Sequence, residues 1–113
     1  MIGTVDLVVA GDGSVARAAA VGALERGQRV LVVLRSGDAR VARHLRRILL
    51  RTAGTNGGQL SVMTAAEVVC VDGVSGVEAV VVRHVPTGHL SAVNASAFLS
   101  CDGEKNEYDS RPD

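Results

Sequence analysis

The feature that most constrains this chain is a glycine-rich turn that directly follows a short aliphatic run. The run extends from Val5 to Ala10, and the turn after it has Gly-x-Gly-x-x-Ala spacing over residues 11–16. Gly27 lies where a following helix would end. A nucleotide-binding turn requires a strand before it and a helix after it. Because the sequence predicts both here, the glycine spacing favours such a turn. The apolar residues that recur at helical spacing are Ala16, Ala20, Ala23 and Leu24.

The residue types in the turn suit contact with a pyrophosphate. Gly11 allows the sharp turn, Gly13 has no Cβ to obstruct a phosphate, and Ala16 lets the helix lie close to the strand. The helix N-terminus offers unpaired N–H groups and a partial positive charge, and we expect the Asp12 carboxylate to point to solvent. The alternative is a tight strand-to-helix turn that binds nothing. The candidate pyrophosphate-binding residues are Gly11, Asp12, Gly13, Ser14, Val15 and Ala16.

The end of the second predicted strand distinguishes between adenine dinucleotides. Sites for NAD or FAD place an Asp or Glu there, which binds the ribose hydroxyls. This sequence has Leu34-Arg35-Ser36 instead, and Arg40 follows about one helical turn later. Guanidinium groups bind a 2′-phosphate through charge-assisted hydrogen bonds, whereas a carboxylate repels it. Arg35, Ser36 and Arg40 therefore predict NADP(H), with NAD(H) less favoured, and the alternative is a set of solvated arginines on a basic helix.

The remaining pattern predicts one α/β domain over residues 1–103 and a polar, disordered tail over residues 104–113. We expect a Rossmann-like fold with a parallel sheet, flanking helices in a three-layer core and a three-stranded antiparallel meander. The second strand covers 29–34, and Asp38 is predicted to cap a second helix. The apolar stripe of that helix is Val41, Leu45, Ile48 and Leu49. A flexible loop over 52–59 then precedes strands at 60–63, 67–71, 77–85, 89–95 and, separately, 97–101.

The composition narrows the classes of partner. Aromatic residues are only 2% of the chain and hydrophobic residues 47%, so the core is aliphatic, as in parallel strands covered by helices. The formal net charge is zero, and no apolar run approaches the roughly 20 residues that a membrane span needs. Six arginines lie between Arg35 and Arg51, but no aromatics are interleaved to stack bases. We therefore expect a cytoplasmic protein that binds neither membrane nor nucleic acid.

The cysteines and histidines predict neither redox chemistry nor metal binding. Cys70 and Cys101 each lie inside an aliphatic run and are expected to be buried, reduced thiols. The sequence contains no Cys-x-x-Cys pair. His44, His84 and His89 have no Cys or carboxylate at ligand spacing, so we predict no metal site. No residue is predicted to be catalytic.

Several segments share the pattern of one family. Leu34–Arg40 corresponds to a His-Arg-Arg-x-x-x-Arg segment, of which Arg35 and Arg40 keep the first and last arginine. Residues 62–68 are similar to a strand that ends in Thr-x-x-Glu-Val, and residues 80–88 to the hairpin that follows it. In these segments and in the glycine turn, the chain resembles the NADPH-binding domain of thioredoxin reductase and other FAD-dependent pyridine nucleotide-disulfide oxidoreductases. The resemblance covers residues 5–101 and implies an oxidoreductase-related module with its arginines on the NADP 2′-phosphate.

The sequence lacks the parts of that family's enzymes that carry out the redox chemistry. It has no second glycine motif for FAD and no redox-active cysteine pair. Because hydride transfer needs the nicotinamide stacked on a flavin, the resemblance implies a module that is not catalytic alone. FAD would then come from a flavoprotein partner or a missing domain. Two alternatives stay open: a degenerate Rossmann-like domain that binds no nucleotide and acts through protein–protein contacts or homodimerisation, and a basic nucleic-acid-binding module.

Overall fold

The structure, a computed structural model, describes residues 4–54 and 58–101. They form a six-stranded mixed sheet with two helices, a Rossmann-like α/β fold. The first five elements follow the order that the sequence predicted. In chain order the elements are β1 (Thr4–Ala10), α1 (Ser14–Glu25), β2 (Arg29–Val33), α2 (Ala39–Ala53), β3 (Gln59–Met63), β4 (Ala66–Asp72), β5 (Ala79–His84) and β6 (His89–Ser100).

The sheet has a parallel half and an antiparallel half. The strand order is β3-β2-β1-β6-β5-β4. Strands β1, β2, β3 and the second half of β6 are parallel, and β4, β5 and the first half of β6 form the antiparallel meander. The carboxyl ends of β1, β2 and β6 therefore meet at one edge, which is where open α/β sheets bind their ligands.

The prediction of two separate strands at 89–95 and 97–101 was wrong. β6 is one continuous strand from His89 to Ser100. Its first half pairs antiparallel with β5 and its second half pairs parallel with β1. Asn94 is the switch residue, because it pairs with Ala79 on β5 and with Thr4 on β1. One strand therefore joins the meander to the parallel sheet.

The sheet folds back over itself on the side opposite the helices. Strands β3 and β4 lie at the two ends of the strand order, yet only Thr64 and Ala65 separate them in the chain. The N–H groups of Ala65 and Ala66 donate to the carbonyls of Ser36 (2.8 Å) and Leu34 (3.0 Å). These bonds hold the start of β4 beside the end of β2. This fold-back adds the meander as the third layer.

Two apolar clusters fill the two sides of the parallel strands. On one side, α1 and α2 pack on β1 and β2, and the predicted inner face of α1 is buried as expected. On the other side, the meander packs on the same strands through aliphatic side chains alone at its centre. Burying each such side chain contributes on the order of 1.5–3 kcal/mol. The fully buried large side chains are Leu31, Leu49, Val8, Val9, Val30, Val32, Val33, Val80, Val82 and Val93.

Helix α2 follows its predicted pattern closely at the start and less well at its end. Asp38 caps it as expected, because its side chain accepts a hydrogen bond from the Arg40 N–H. Leu45 and Leu49 are buried, while Val41 and Ile48 are half-buried. The helix continues to Ala53, so the predicted loop at 52–59 begins two residues later, and residues 55–57 lie outside the described part. Neither described helix is long and apolar enough to cross a membrane.

The two cysteines differ in their surroundings. Cys101 is buried as predicted, and its N–H donates to the carbonyl of Ala10 (2.8 Å). The prediction for Cys70 was wrong, because this side chain is exposed. Cys70 lies on β4, which is an edge strand, so an aliphatic run there is not covered on both sides. The tail predicted at 104–113 lies outside the described residues.

Candidate functional site

The glycine turn lies at the carboxyl edge of the parallel strands. β1 ends at Ala10 and α1 begins at Ser14, as the sequence predicted. Gly11 has a φ of +124°, a conformation that residues with a side chain rarely adopt. Its N–H donates to the carbonyl of Val33 at the end of β2 (3.0 Å). The turn is therefore fixed beside the end of β2.

The N-terminus of α1 is bare. Gly13 occupies the cap position, and within residues 4–54 and 58–101 it has no side-chain cap hydrogen bond. The first turn carries no acidic residue, and Ser14 and Val15 are exposed. A Cβ built on Gly13 would meet no atom of the described residues within 4 Å other than those of its chain neighbours, so open space lies in front of the backbone. Ala16 is buried at 2% exposure, which lets α1 approach the strands.

Arg17, in the first part of α1, contacts the glycine turn and was not predicted as a site residue. Its Nε donates to the carbonyl of Asp12 (3.0 Å), so the exposed guanidinium group folds over the turn. A cation is unfavourable near the positive end of a helix, unless an anion is bound there. Its position one turn into the helix was readable from the sequence, but its contact with the Asp12 carbonyl was not.

Arg35 lies directly after β2 and contacts an acid that is distant in sequence. Its Nη2 is 3.6 Å from Oε1 of Glu67 on β4, and Arg83 on β5 binds Oε2 of the same carboxylate. The side chain of Glu67 is 16% exposed, whereas that of Arg35 is 68% exposed. Neither Glu67 nor Arg83 was predicted as a site residue from the sequence. Their approach to Arg35 depends on the fold-back of the sheet.

The other two residues predicted for a 2′-phosphate are bound to Asp38. Ser36 Oγ accepts from the Asp38 N–H (3.1 Å). The Arg40 guanidinium lies 3.3 Å from Oδ2 of Asp38 and is 83% exposed. The hydrogen bond from the Arg40 backbone N–H, together with that guanidinium, lowers the pKa of Asp38 below its ordinary value. The carboxylate therefore offsets much of the charge that Arg40 brings to the site.

A cleft of about 390 Å³ opens at the carboxyl edge, next to the last residue of β1. Ala10 and Ser100 line it at the ends of β1 and β6, together with Phe98. Residues 68–71 of β4 form one wall, and Arg35 also lines the cleft, whereas Arg40 does not. The cleft thus brings side chains of β4 and β6 beside one of the predicted arginines. Its β4 wall, including Cys70, was not predicted from the sequence.

Two of the histidines, His84 and His89, are placed where a structural role explains them. His84 and His89 pair across the β5–β6 hairpin, and His84 Nδ1 lies 2.9 Å from Thr87 Oγ1. Within residues 4–54 and 58–101, no three His, Cys, Asp or Glu side chains lie close enough together to hold a metal ion.

Comparison with solved structures identifies the fold. Thioredoxin reductase from Streptococcus pyogenes MGAS5005 superposes with a TM-score of 0.66 at 21% identity, over 88% of this chain and 31% of that one. The myxobacterial chondrochloren halogenase CndH, a variant of FAD-dependent halogenases, gives 0.67 at 15% identity, over 93% and 38%. The rebeccamycin biosynthetic enzyme RebC gives 0.65 at 14% identity, over 95% and 34%.

This chain has the fold of one segment of these enzymes. It spans about a third of their length, from 31% to 38%. The sequence matches no protein-family model and no curated protein. The likeness is therefore one of fold, and it covers 88% to 95% of this chain.

Proposed function

We propose that this chain binds an adenine dinucleotide across the carboxyl ends of β1 and β2, with NADP(H) as the preferred ligand. One observation carries the proposal: the bare N-terminus of α1, with open space at Gly13, lies at the same edge as a cleft that Arg35 lines. A helix N-terminus without a cap binds anions through its free N–H groups and its dipole. The cleft at the same edge, which Val68, Val69 and Phe98 line in part, would hold the uncharged part of a nucleotide.

The residues of the turn fit a pyrophosphate. Gly13 leaves room for the phosphate oxygens, and the exposed backbone at Ser14 and Val15 would donate to them. Arg17 adds a positive charge on the same turn. We assign the pyrophosphate to Gly11, Asp12, Gly13, Ser14, Val15 and Ala16, as predicted from the sequence.

The residues after β2 favour a phosphorylated ribose. The similar enzymes include an FAD-dependent halogenase, and FAD, NAD(H) and NADP(H) all contain an ADP group that this edge would hold. Arg35 follows β2 where NAD and FAD sites place an acid. A 2′-phosphate would bind Arg35 and Ser36, and would bind Arg40 once that guanidinium leaves Asp38. NAD(H) is therefore the less favoured ligand, and FAD would require a partner chain or a further domain.

The proposed role of the chain is to bind and orient the nucleotide. Bound NADPH supplies a hydride, and we propose that a flavoprotein partner accepts it. No residue of the chain is assigned a catalytic role.

Isothermal titration calorimetry with NADPH, NADH and FAD tests the proposal. We expect NADPH to bind about tenfold or more tightly than NADH, since each charge-assisted bond to a phosphate contributes roughly 1.5–3 kcal/mol. Replacing Arg35 and Arg40 together by Ala should bring the two affinities close to each other. An unchanged ratio in that double variant would exclude the arginines as the selecting residues. No binding of any dinucleotide to folded protein, with dimers that form as concentration rises, would instead support an interaction module.

A further inference from the structure

Glu67 brings together two arginines from different strands. It is the second residue of β4, and the hydrogen bond from the Ala66 N–H to the Leu34 carbonyl holds it beside the end of β2. Arg35 approaches Oε1 from that end, and Arg83, the cross-strand partner of Glu67 on β5, binds Oε2. The carboxylate is largely buried, whereas the Arg35 and Arg83 side chains are 68% and 47% exposed. The cations thus lie on the solvent side of the acid.

The cluster places two cations at the end of β2. The Arg35 and Arg83 guanidinium groups both contact the Glu67 carboxylate, so within these three side chains the cations outnumber the acid. Guanidinium groups bind phosphate through bidentate, charge-assisted hydrogen bonds, and the Arg83 side chain is half-exposed.

We propose that Arg83, together with Arg35, selects nucleotides that carry a ribose 2′-phosphate, and that Glu67 is the counter-ion that positions both guanidinium groups. This inference rests on the proposed nucleotide binding. It adds Arg83, which the sequence pattern did not predict, to the residues that bind the 2′-phosphate. Glu67 acts in two opposite ways. Its hydrogen-bonding side chain orients the arginines, and its charge opposes an incoming phosphate.

Replacing Glu67 by an uncharged residue of similar shape separates these two effects. Glu67→Gln retains one carbonyl oxygen for a guanidinium and removes the repulsion, so affinity for a 2′-phosphate should increase. Arg83→Met keeps the aliphatic stem of the side chain and removes the cation, so that affinity should fall. Arg83→Lys restores the charge without the planar fork and should recover only part of the loss.

Arg29 provides a matched control. It pairs with a single carboxylate, Asp6, at 3.5 Å, and its side chain is 47% exposed, as is that of Arg83. It lies at the first residue of β2, whereas the proposed site lies beyond the last. Arg29→Met therefore removes a comparable ion pair at the opposite edge of the sheet.

The experiment compares adenosine 2′,5′-bisphosphate with 5′-AMP, which differ only in the 2′-phosphate, by calorimetry on each variant. Far-UV circular dichroism verifies that each variant is folded. We expect Arg83→Met to lower the affinity ratio of the two ligands about tenfold, Glu67→Gln to raise it, and Arg29→Met to leave it unchanged. A wild-type protein that prefers the bisphosphate, with the preference intact in Arg83→Met, would overturn this inference alone. Wild-type protein that binds neither ligand would instead overturn the proposed function on which it rests.

Discussion

The guanidinium group of Arg40 lies 3.3 Å from the carboxylate of Asp38, the residue that caps helix α2. Asp38 therefore has two roles, because one oxygen accepts the N–H of Arg40 (2.8 Å) while the carboxylate also binds the Arg40 side chain. The cap begins the helix. The ion pair keeps the Arg40 guanidinium on Asp38, although the sequence pattern predicted that this guanidinium binds a phosphate. The same residue thus favours folding and opposes the proposed ligand.

Asp38→Asn should strengthen NADPH binding several-fold and leave NADH binding unchanged. Asn keeps an oxygen for the cap but removes the charge that holds Arg40. Calorimetry of the two ligands measures this ratio, and Asp38→Ala, which lacks the cap, should lower the melting temperature as a control. An NADPH affinity that falls in Asp38→Asn would contradict the assignment of Arg40.

The Asp38 carboxylate makes the free energy of unfolding depend on pH in the acid range. The hydrogen bond from the Arg40 backbone N–H and the guanidinium beside it lower the pKa of Asp38 below 3.8 in the folded protein. Its contribution is therefore fully present above pH 3.8 and is lost as the pH falls through the lower folded-state pKa. Urea unfolding at a series of acid pH values should show a smaller loss of stability for Asp38→Asn than for the wild type.

Gly13→Ser should stabilise the protein slightly and weaken nucleotide binding. Gly13 has a φ of −74°, which any residue adopts, and a serine there would cap α1, a gain of a few tenths of a kcal/mol. Its Cβ and Oγ would occupy the space proposed for a phosphate, so affinity should fall about tenfold or more. Thermal melts and calorimetry test the two effects together. Unchanged affinity would place the phosphate elsewhere.

Gly11→Ala is the contrasting variant on the same turn. At a φ of +124° an alanine is strained, so we expect a loss of about 1–3 kcal/mol in the free energy of unfolding. Urea unfolding measures this loss. Equal stability in the two proteins would show that the turn relaxes without glycine.

Cys70 should react slowly with iodoacetamide at neutral pH and Cys101 only after unfolding. The negative charge of Asp72, whose Oδ1 lies 3.6 Å from the Cys70 Sγ, raises the pKa of the exposed thiol. Asp72→Asn should therefore speed labelling, and the rate should rise with pH because the thiolate reacts. Since Cys70 lines the cleft, saturating NADPH should slow its labelling, whereas unaffected labelling would argue that the dinucleotide does not enter the cleft.

The local features of the fold could be predicted because neighbouring residues determine them. The aliphatic run, the glycines and the helical spacing of alanines predicted β1, the turn and α1, and the end of β1 was correct to the residue. Asp38 was correctly predicted as a cap because a short polar side chain before a helical stripe has few other roles.

Features that depend on strand neighbours could not be predicted in the same way. The break predicted at residue 96 does not exist, because β6 passes from pairing with β5 to pairing with β1 at Asn94 and continues as one strand. Cys70 resembles a buried residue, yet the strand order leaves β4 at an edge. The contact of Glu67 with Arg35 needs a sheet that folds back on itself, and nothing local in the sequence indicates that fold-back.

The most direct test of nucleotide binding at the carboxyl edge of the sheet is an NMR titration of the isotope-labelled protein with NADPH, in which the backbone amide signals are followed. We predict that the signals of Gly13, Ser14 and Val15 shift and saturate together, because their N–H groups would bind the pyrophosphate, and that Arg35 shifts with NADPH more than with NADH. Shifts confined to the exposed arginines of α2, or no saturable shift at the turn, would contradict nucleotide binding at this edge of the sheet.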